Sequence, residues 1–176
     1  SDDKVGHGNI LINVGKLKES QDSLKEALQI YNEAYNLFVS QGGLRGIAVS
    51  LYRIAKIETE LNQPELALAK LNEAEEIYLK LDEKYGLIFS YNQFSRTYNK
   101  LGESTKAIEM AKKAQNLAFQ INSEPLLAES FLRLSEAYKK RKQFELAFDA
   151  FESYEKINTE LISWENNKRV SSLEHQ

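Results

Sequence analysis

The residues able to do chemistry in this chain are few. Its two histidines, His7 and His175, stand near opposite ends, and there is no cysteine. Thiolate nucleophiles, thiolate metal sites and disulfides are therefore excluded. A His–Asp–Ser constellation or a histidine metal site would require the two ends of the chain to meet. The carboxylates Glu73, Glu75 and Glu76 fall along one helical run and read as a solvated face. Gly42-Gly43-Leu44-Arg45-Gly46 is a glycine cluster without the Gly-Lys-Ser/Thr ending of a phosphate loop. It reads as a turn that stops a helix. No catalytic residue, metal or cofactor is expected.

The formal net charge of −3 over 176 residues opposes phosphate binding by the chain as a whole, so nucleic acid is not an expected partner. No apolar run approaches the roughly 20 residues that span a bilayer, so no part of this chain is expected to insert into a membrane. The chain opens at Ser1, and Met110 is its one methionine, so it reads as a processed product or an excised piece.

Regular structure must position whatever the chain recognises. With two prolines, eight glycines and abundant Leu, Ala, Glu, Lys and Gln, the composition predicts an all-α protein. Leu51, Ile54, Ala55 and Leu61 mark one amphipathic helix; Leu66, Ala67, Leu71, Ala74, Ile77, Tyr78 and Leu81 mark a second. Asn62-Gln63-Pro64-Glu65 separates them and reads as a cap, with Asn62 as the capping residue. Similar breaks fall at Gln21-Asp22-Ser23, Gln41-Gly42-Gly43, Leu81-Asp82-Glu83, Leu101-Gly102-Glu103-Ser104, Ile121-Asn122-Ser123 and Arg141-Lys142-Gln143.

Ala27, Ala67, Ala107 and Ala147 lie forty residues apart, as do Ala34, Ala74, Ala114 and Tyr154. Gly6, Gly46 and Gly86 share that period and read as lying just ahead of each first helix; Leu126 replaces the fourth. A period of about 20 to 50 residues marks a stack of repeated units. Small residues at these places let paired helices approach, and Leu71, Phe94 and Leu134 are expected to fill the space between units.

Ser95, Tyr98, Gly102, Ala107 and Ala114 in the third unit, with Ser135, Tyr138, Phe144 and Ala147 in the fourth, resemble the tetratricopeptide repeat in its forty-residue variety. The first two units depart from it, with Lys18 and Glu58 where Tyr is usual. The resemblance implies a right-handed α-solenoid of four hairpins, at about 7–42, 43–82, 83–122 and 123–162, followed by a capping or connecting helix at 163–176. It also implies that the first helix of each pair lines the concave wall. Over 7–21, 47–61, 87–101 and 127–141 the formal charge is +5, and over 23–39, 63–79, 103–119 and 143–159 it is −6.

On that wall, columns form from Tyr52, Asn92 and Leu132; Lys16, Lys56, Arg96 and Glu136; Arg53, Gln93 and Arg133; Glu60, Lys100 and Lys140. Lys16, Tyr52, Arg53, Lys56, Asn92, Arg96, Asn99, Lys100, Arg133 and Lys140 are the expected groove residues. Cations, amides and a Tyr suit a protein or peptide ligand of acidic character. The family's Lys/Asn clamp for a terminal carboxylate is not matched, the corresponding pairs being Ile12 with Lys16, Tyr52 with Lys56 and Asn92 with Arg96.

Leu161, Ile162 and Trp164 are placed to cap the apolar end of the stack. Phe38, Phe119 and Trp164 read as exposed aromatics, serving either as homodimer contacts or as ordinary end packing. Glu165-Asn166-Asn167-Lys168-Arg169, after the repeats, resembles the sensory regions of bacterial histidine kinases and diguanylate cyclases. The expectation is a non-catalytic interaction module of such a signalling protein, extracytoplasmic in that setting. A free-standing cytoplasmic adaptor or peptide-responsive regulator is the alternative.

Overall fold

The computed structural model describes residues 2–174, and His175 lies outside the described residues. Eight helices follow one another: α1 Asp2–Ser20, α2 Leu24–Gln41, α3 Leu44–Glu60, α4 Pro64–Lys80, α5 Lys84–Leu101, α6 Ser104–Gln120, α7 Glu124–Lys140 and α8 Phe144–Glu174. No strand occurs among the described residues. The first helix begins at Asp2 rather than near residue 7, and the last runs through residues 163–174 without a break at 162.

All seven joints are built alike. Asp22, Gly42, Asn62, Asp82, Gly102, Asn122 and Lys142, twenty residues apart, all have positive φ. At each, the following amide reaches back five residues, as Gln63 N–H does to Glu58 O at 2.8 Å and Gln143 N–H to Tyr138 O at 2.9 Å. These two-bond turns satisfy the last carbonyls of one helix and reverse the chain within three residues. Glycine, Asn and Asp suit the left-handed region because they lack a bulky Cβ environment or hydrogen-bond locally. Asn62 is therefore a helix-ending residue and not a cap; Gln63 takes the N-cap place without a side-chain bond.

The glycines expected ahead of the first helices lie inside them; open space surrounds Gly6, but at Gly46 and Gly86 neighbouring rings need the room. A Cβ on Gly46 would overlap the Phe38 ring, and one on Gly86 would overlap Tyr78. Forty residues further on, the bulk changes sides: Ala118 stands where Phe38 and Tyr78 stand, and Leu126 where the glycines stand. Both are buried. That exchange conserves volume at the joint and explains why the fourth unit lacks the glycine. Phe38 is consequently a core residue rather than an exposed aromatic.

Ala27, Ala67 and Ala107 are fully buried, and Leu71, Phe94 and Leu134 fill the core as expected. Each helix packs on its sequence neighbours. In addition the backbones of α1 and α3, α3 and α5, and α5 and α7 come close, while those of the even-numbered helices stand apart, α2 reaching α4 through the Tyr35 hydroxyl, which donates to Glu73 at 3.5 Å. The odd helices therefore converge on one wall and the even ones splay outward, which curves the stack.

Candidate peptide-binding groove

The inner wall carries a recess of about 430 Å³ lined by Tyr52, Lys56, Phe89, Asn92, Gln93, Arg96, Leu126, Glu129 and Arg133, among others. Tyr52 and Phe89 form an aromatic edge, their centroids 5.8 Å apart. Arg53 lies over the Tyr52 ring at 5.5 Å. Beside it a second recess, of about 640 Å³, is lined by Arg96, Asn99, Lys100, Glu136, Lys139 and Lys140. The α3, α5 and α7 helices thus bring together Tyr52, Lys56, Asn92, Arg96, Asn99, Lys100, Arg133 and Lys140 across these two recesses. Lys16, on α1, is exposed and lines neither.

The wall is less basic than its residues promised, because acids of the preceding unit meet Arg53, Lys56 and Arg96, and acids of its own helix meet Arg133. Glu19 accepts from Lys56, and Arg53 lies 3.5 Å from it. The same carboxylate accepts from the Tyr31 hydroxyl at 2.9 Å. Burial pushes Glu19 up, but the Lys56 ammonium, the Tyr31 hydroxyl and Arg53 outweigh it and hold the carboxyl below its usual 4.5. Arg96 pairs with Glu60 at 2.5 Å, and Arg133 with Glu129 at 2.8 Å and Glu136 at 2.7 Å. Lys16, Lys100 and Lys140 have no ion-pair partner among the described residues.

Glu19, Glu129 and Phe89 escaped the sequence reading. The acids were legible in principle, since Glu19 precedes Lys56 and Glu60 precedes Arg96 by slightly less than one period, the offset of facing residues on successive odd helices. Gln93, placed in a groove column, lines the first recess and also donates to Thr59 at 3.0 Å, beside a 2.9 Å bond between Thr59 and Thr97. It joins α3 to α5.

Asn92 stands apart from these satisfied groups. It is 5% exposed, and neither its amide nitrogen nor its amide oxygen has a hydrogen-bond partner. The Oδ1 of Asn99, 7% exposed, is likewise unpartnered. A buried amide left unpaired costs about 1–3 kcal/mol, and Asn92 carries an NH2 donor beside a carbonyl acceptor, a pair able to complement the C=O and N–H of a peptide. Among the described residues no group of three or more His, Cys, Asp or Glu is placed to hold a metal.

A curved all-α stack with an amide-bearing inner wall defines a solenoid scaffold of the kind that generally mediates interaction rather than catalysis. The chain belongs to the tetratricopeptide repeat family: two models, both described as tetratricopeptide repeat, match residues 6–80 and 90–121. Its fold is similar to that of BtubC (BKLC) from P. vanneervenii, at 19% identity and a TM-score of 0.75 over 88% of this chain. The chain spans 64% of that protein's length. It also resembles a putative kinesin light chain with TPR-like repeats from Podosopora anserina, at 17% identity and TM-score 0.63 over 86% of this chain and 74% of that one. YrrB, described as a TPR protein with an unusual peptide-binding site, matches at 18% identity and TM-score 0.51 over 90% of each chain. No curated protein matches the sequence.

Proposed function

We propose that the inner wall binds an extended peptide segment of a partner protein and performs no catalysis. The observation that carries this reading is Asn92, whose buried amide nitrogen and oxygen both lack partners in the lining of the recess it shares with Tyr52, Phe89 and Arg133. With its amide turned into the recess, Asn92 would meet a donor and an acceptor of a ligand backbone, the Tyr52–Phe89 edge would cover an apolar side chain, and ligand acids would reach the unpaired Lys100 and Lys140. Acidic character is thus needed at one end of the ligand only, because Glu19, Glu60, Glu129 and Glu136 already serve the other cations.

The module is the interaction region of a bacterial signalling protein, with α8 as its connector. What supports this setting is the continuity of α8, which carries Glu165-Asn166-Asn167-Lys168-Arg169 straight on from the last repeat. A rigid helix leaving the groove's final unit would pass a change in curvature onward. A free-standing adaptor would use the groove in the same way.

The test is selection of linear peptides on the wild-type protein from a displayed library, followed by titration against Asn92→Ala. Loss of two hydrogen bonds predicts at least a tenfold weaker Kd. The melting temperature should hold or rise, because the variant removes an unsatisfied amide. Equal affinity for both proteins, or no peptide selected, overturns the reading.

A further inference from the structure

The two ends of the stack expose positions that the interior units bury or half-bury. Tyr31, Leu71 and Ala111 are fully buried, whereas Phe151, the fourth member of that register, is 44% exposed. Ile108 is buried and its equivalents Leu28 and Leu68 are half-buried, whereas Phe148 is 65% exposed, and Phe144 beside it is exposed too. Terminal units of a solenoid ordinarily present a polar outer face. Three phenylalanines at i, i+4 and i+7 do not.

The interior of the chain shows what such a face receives. On α2, Ala27 and Tyr31 pack with Ile54 and Ile57 of α3. On α6, Ala107, Ile108 and Ala111 pack with Leu134 and Ala137 of α7. In that register Phe148 and Phe151 await the corresponding pair of a further odd helix. This chain does not return one through its usual joint. The next twenty-residue step falls on Ile162, whose branched Cβ disfavours the left-handed turn, and α8 runs through it. Ile162 and Trp164 do not fold back over the face either; both are exposed, Trp164 by 62%.

Charge then selects the occupant. Between interior units, residues at this rim meet the next odd helix: Glu19 meets Lys56, and Glu60 meets Arg96. The same positions in the last unit are Lys139 and Lys140, both exposed and both lining the 640 Å³ recess. The position that would face them is occupied by Lys56, Arg96 and Glu136 in the inner units and by Lys16 in the first. A second copy stacked head to tail would set Lys16 against two lysines, which like charge opposes. An anionic lipid surface would meet Glu145, Asp149 and Glu152 around the phenylalanines.

We infer that the α7–α8 end is a docking site for a separate amphipathic helix of a partner protein. That helix carries two apolar residues at i and i+3 for Phe148 and Phe151, and a carboxylate at i+2 for Lys139 and Lys140. The chain's own α7 has this pattern in Leu134, Glu136 and Ala137.

The probe is a fluorescein-labelled peptide copying residues 123–141, with Arg133→Gln to free Glu136, and stapled on its solvent side so that it is helical before binding. Fluorescence anisotropy with the full chain should show saturable binding. Phe148→Glu with Phe151→Glu should weaken it at least tenfold, while Asn92→Ala leaves it unchanged, which separates this site from the groove. Lys140→Glu should weaken it as well, and Glu136→Lys in the peptide should restore it. That charge exchange decides the matter even if the phenylalanine variant fails to fold. Absence of saturable binding, equal binding by the phenylalanine variant, or an unrescued Lys140→Glu overturns the proposal. So does self-association, seen by sedimentation, or cosedimentation with phosphatidylserine vesicles, if either is abolished by the phenylalanine variant.

Discussion

Glu19 and Glu58 are both held on the first helices of adjacent units, yet their surroundings give them opposite pH behaviour. Glu19 has two cations and a tyrosine hydroxyl, so its folded pKa lies below 4.5. It binds its proton less readily when folded, so its stabilisation is present above about 4.5 and is lost as pH falls through the folded value. Glu58 is buried where the family usually has Tyr, with its Oε2 unpartnered; burial raises its pKa above 4.5, and Lys70 offsets only part of that. Its contribution favours the fold below 4.5 and is lost as pH rises through the folded pKa. Glu19→Gln should therefore cost about 1–2 kcal/mol at pH 7 and progressively less in acid. Glu58→Gln should stabilise by about 1 kcal/mol at pH 7, with the gain fading toward acid. Urea denaturation at several pH values reads both; parallel pH profiles for the two variants would contradict these environments.

At the scale of the element, the seven joints do the same work with unequal side chains. Glycine, Asn or Asp fills the left-handed position six times, and Lys142 fills it once, at φ 62°. A left-handed residue with an ordinary side chain costs roughly 1–2 kcal/mol, part of which glycine returns through its greater freedom in the unfolded chain. Lys142→Gly should accordingly stabilise by about 0.5–1 kcal/mol, and Gly102→Ala should destabilise by about 1 kcal/mol. A lower melting temperature for Lys142→Gly would show that the lysine side chain contributes something beyond backbone shape. The helix boundaries were legible because these breakers recur; that Asn62 ends a helix rather than beginning one was not, since Asn serves either purpose and backbone dihedrals decide which.

For the whole molecule, stability passes between neighbouring units and is smallest at the ends. Helices α3, α4 and α5 have packed helices on both sides, and the buried Thr59, Gln93 and Thr97 chain links two of them. Helix α1 leaves Ile10, Val14 and Leu17 exposed, and α8 leaves its phenylalanines exposed. Native-state hydrogen exchange should therefore be slowest in α3 to α5 and fastest in α1 and the distal half of α8, with intermediate protection elsewhere. Uniform protection across all eight helices would mean that the stack opens only as a single body.

The sequence alone determined the all-α class, the forty-residue unit, the places where the chain reverses and the absence of cysteine chemistry. All of these depend on side-chain size and helical period, which are local properties. The inner wall was an expectation of the family resemblance, and the columns of first-helix residues followed from it. Only the tertiary structure decided what those residues are free to do, because pairing depends on which acid from another unit arrives beside each cation. Glu19 takes up Lys56 and Arg53, Thr59 takes up Gln93, and Asn92 is left with no partner. The exchange of Phe38 and Gly46 for Ala118 and Leu126 was hidden in the same way: each residue is ordinary on its own helix, and only their contact shows that the volume is shared.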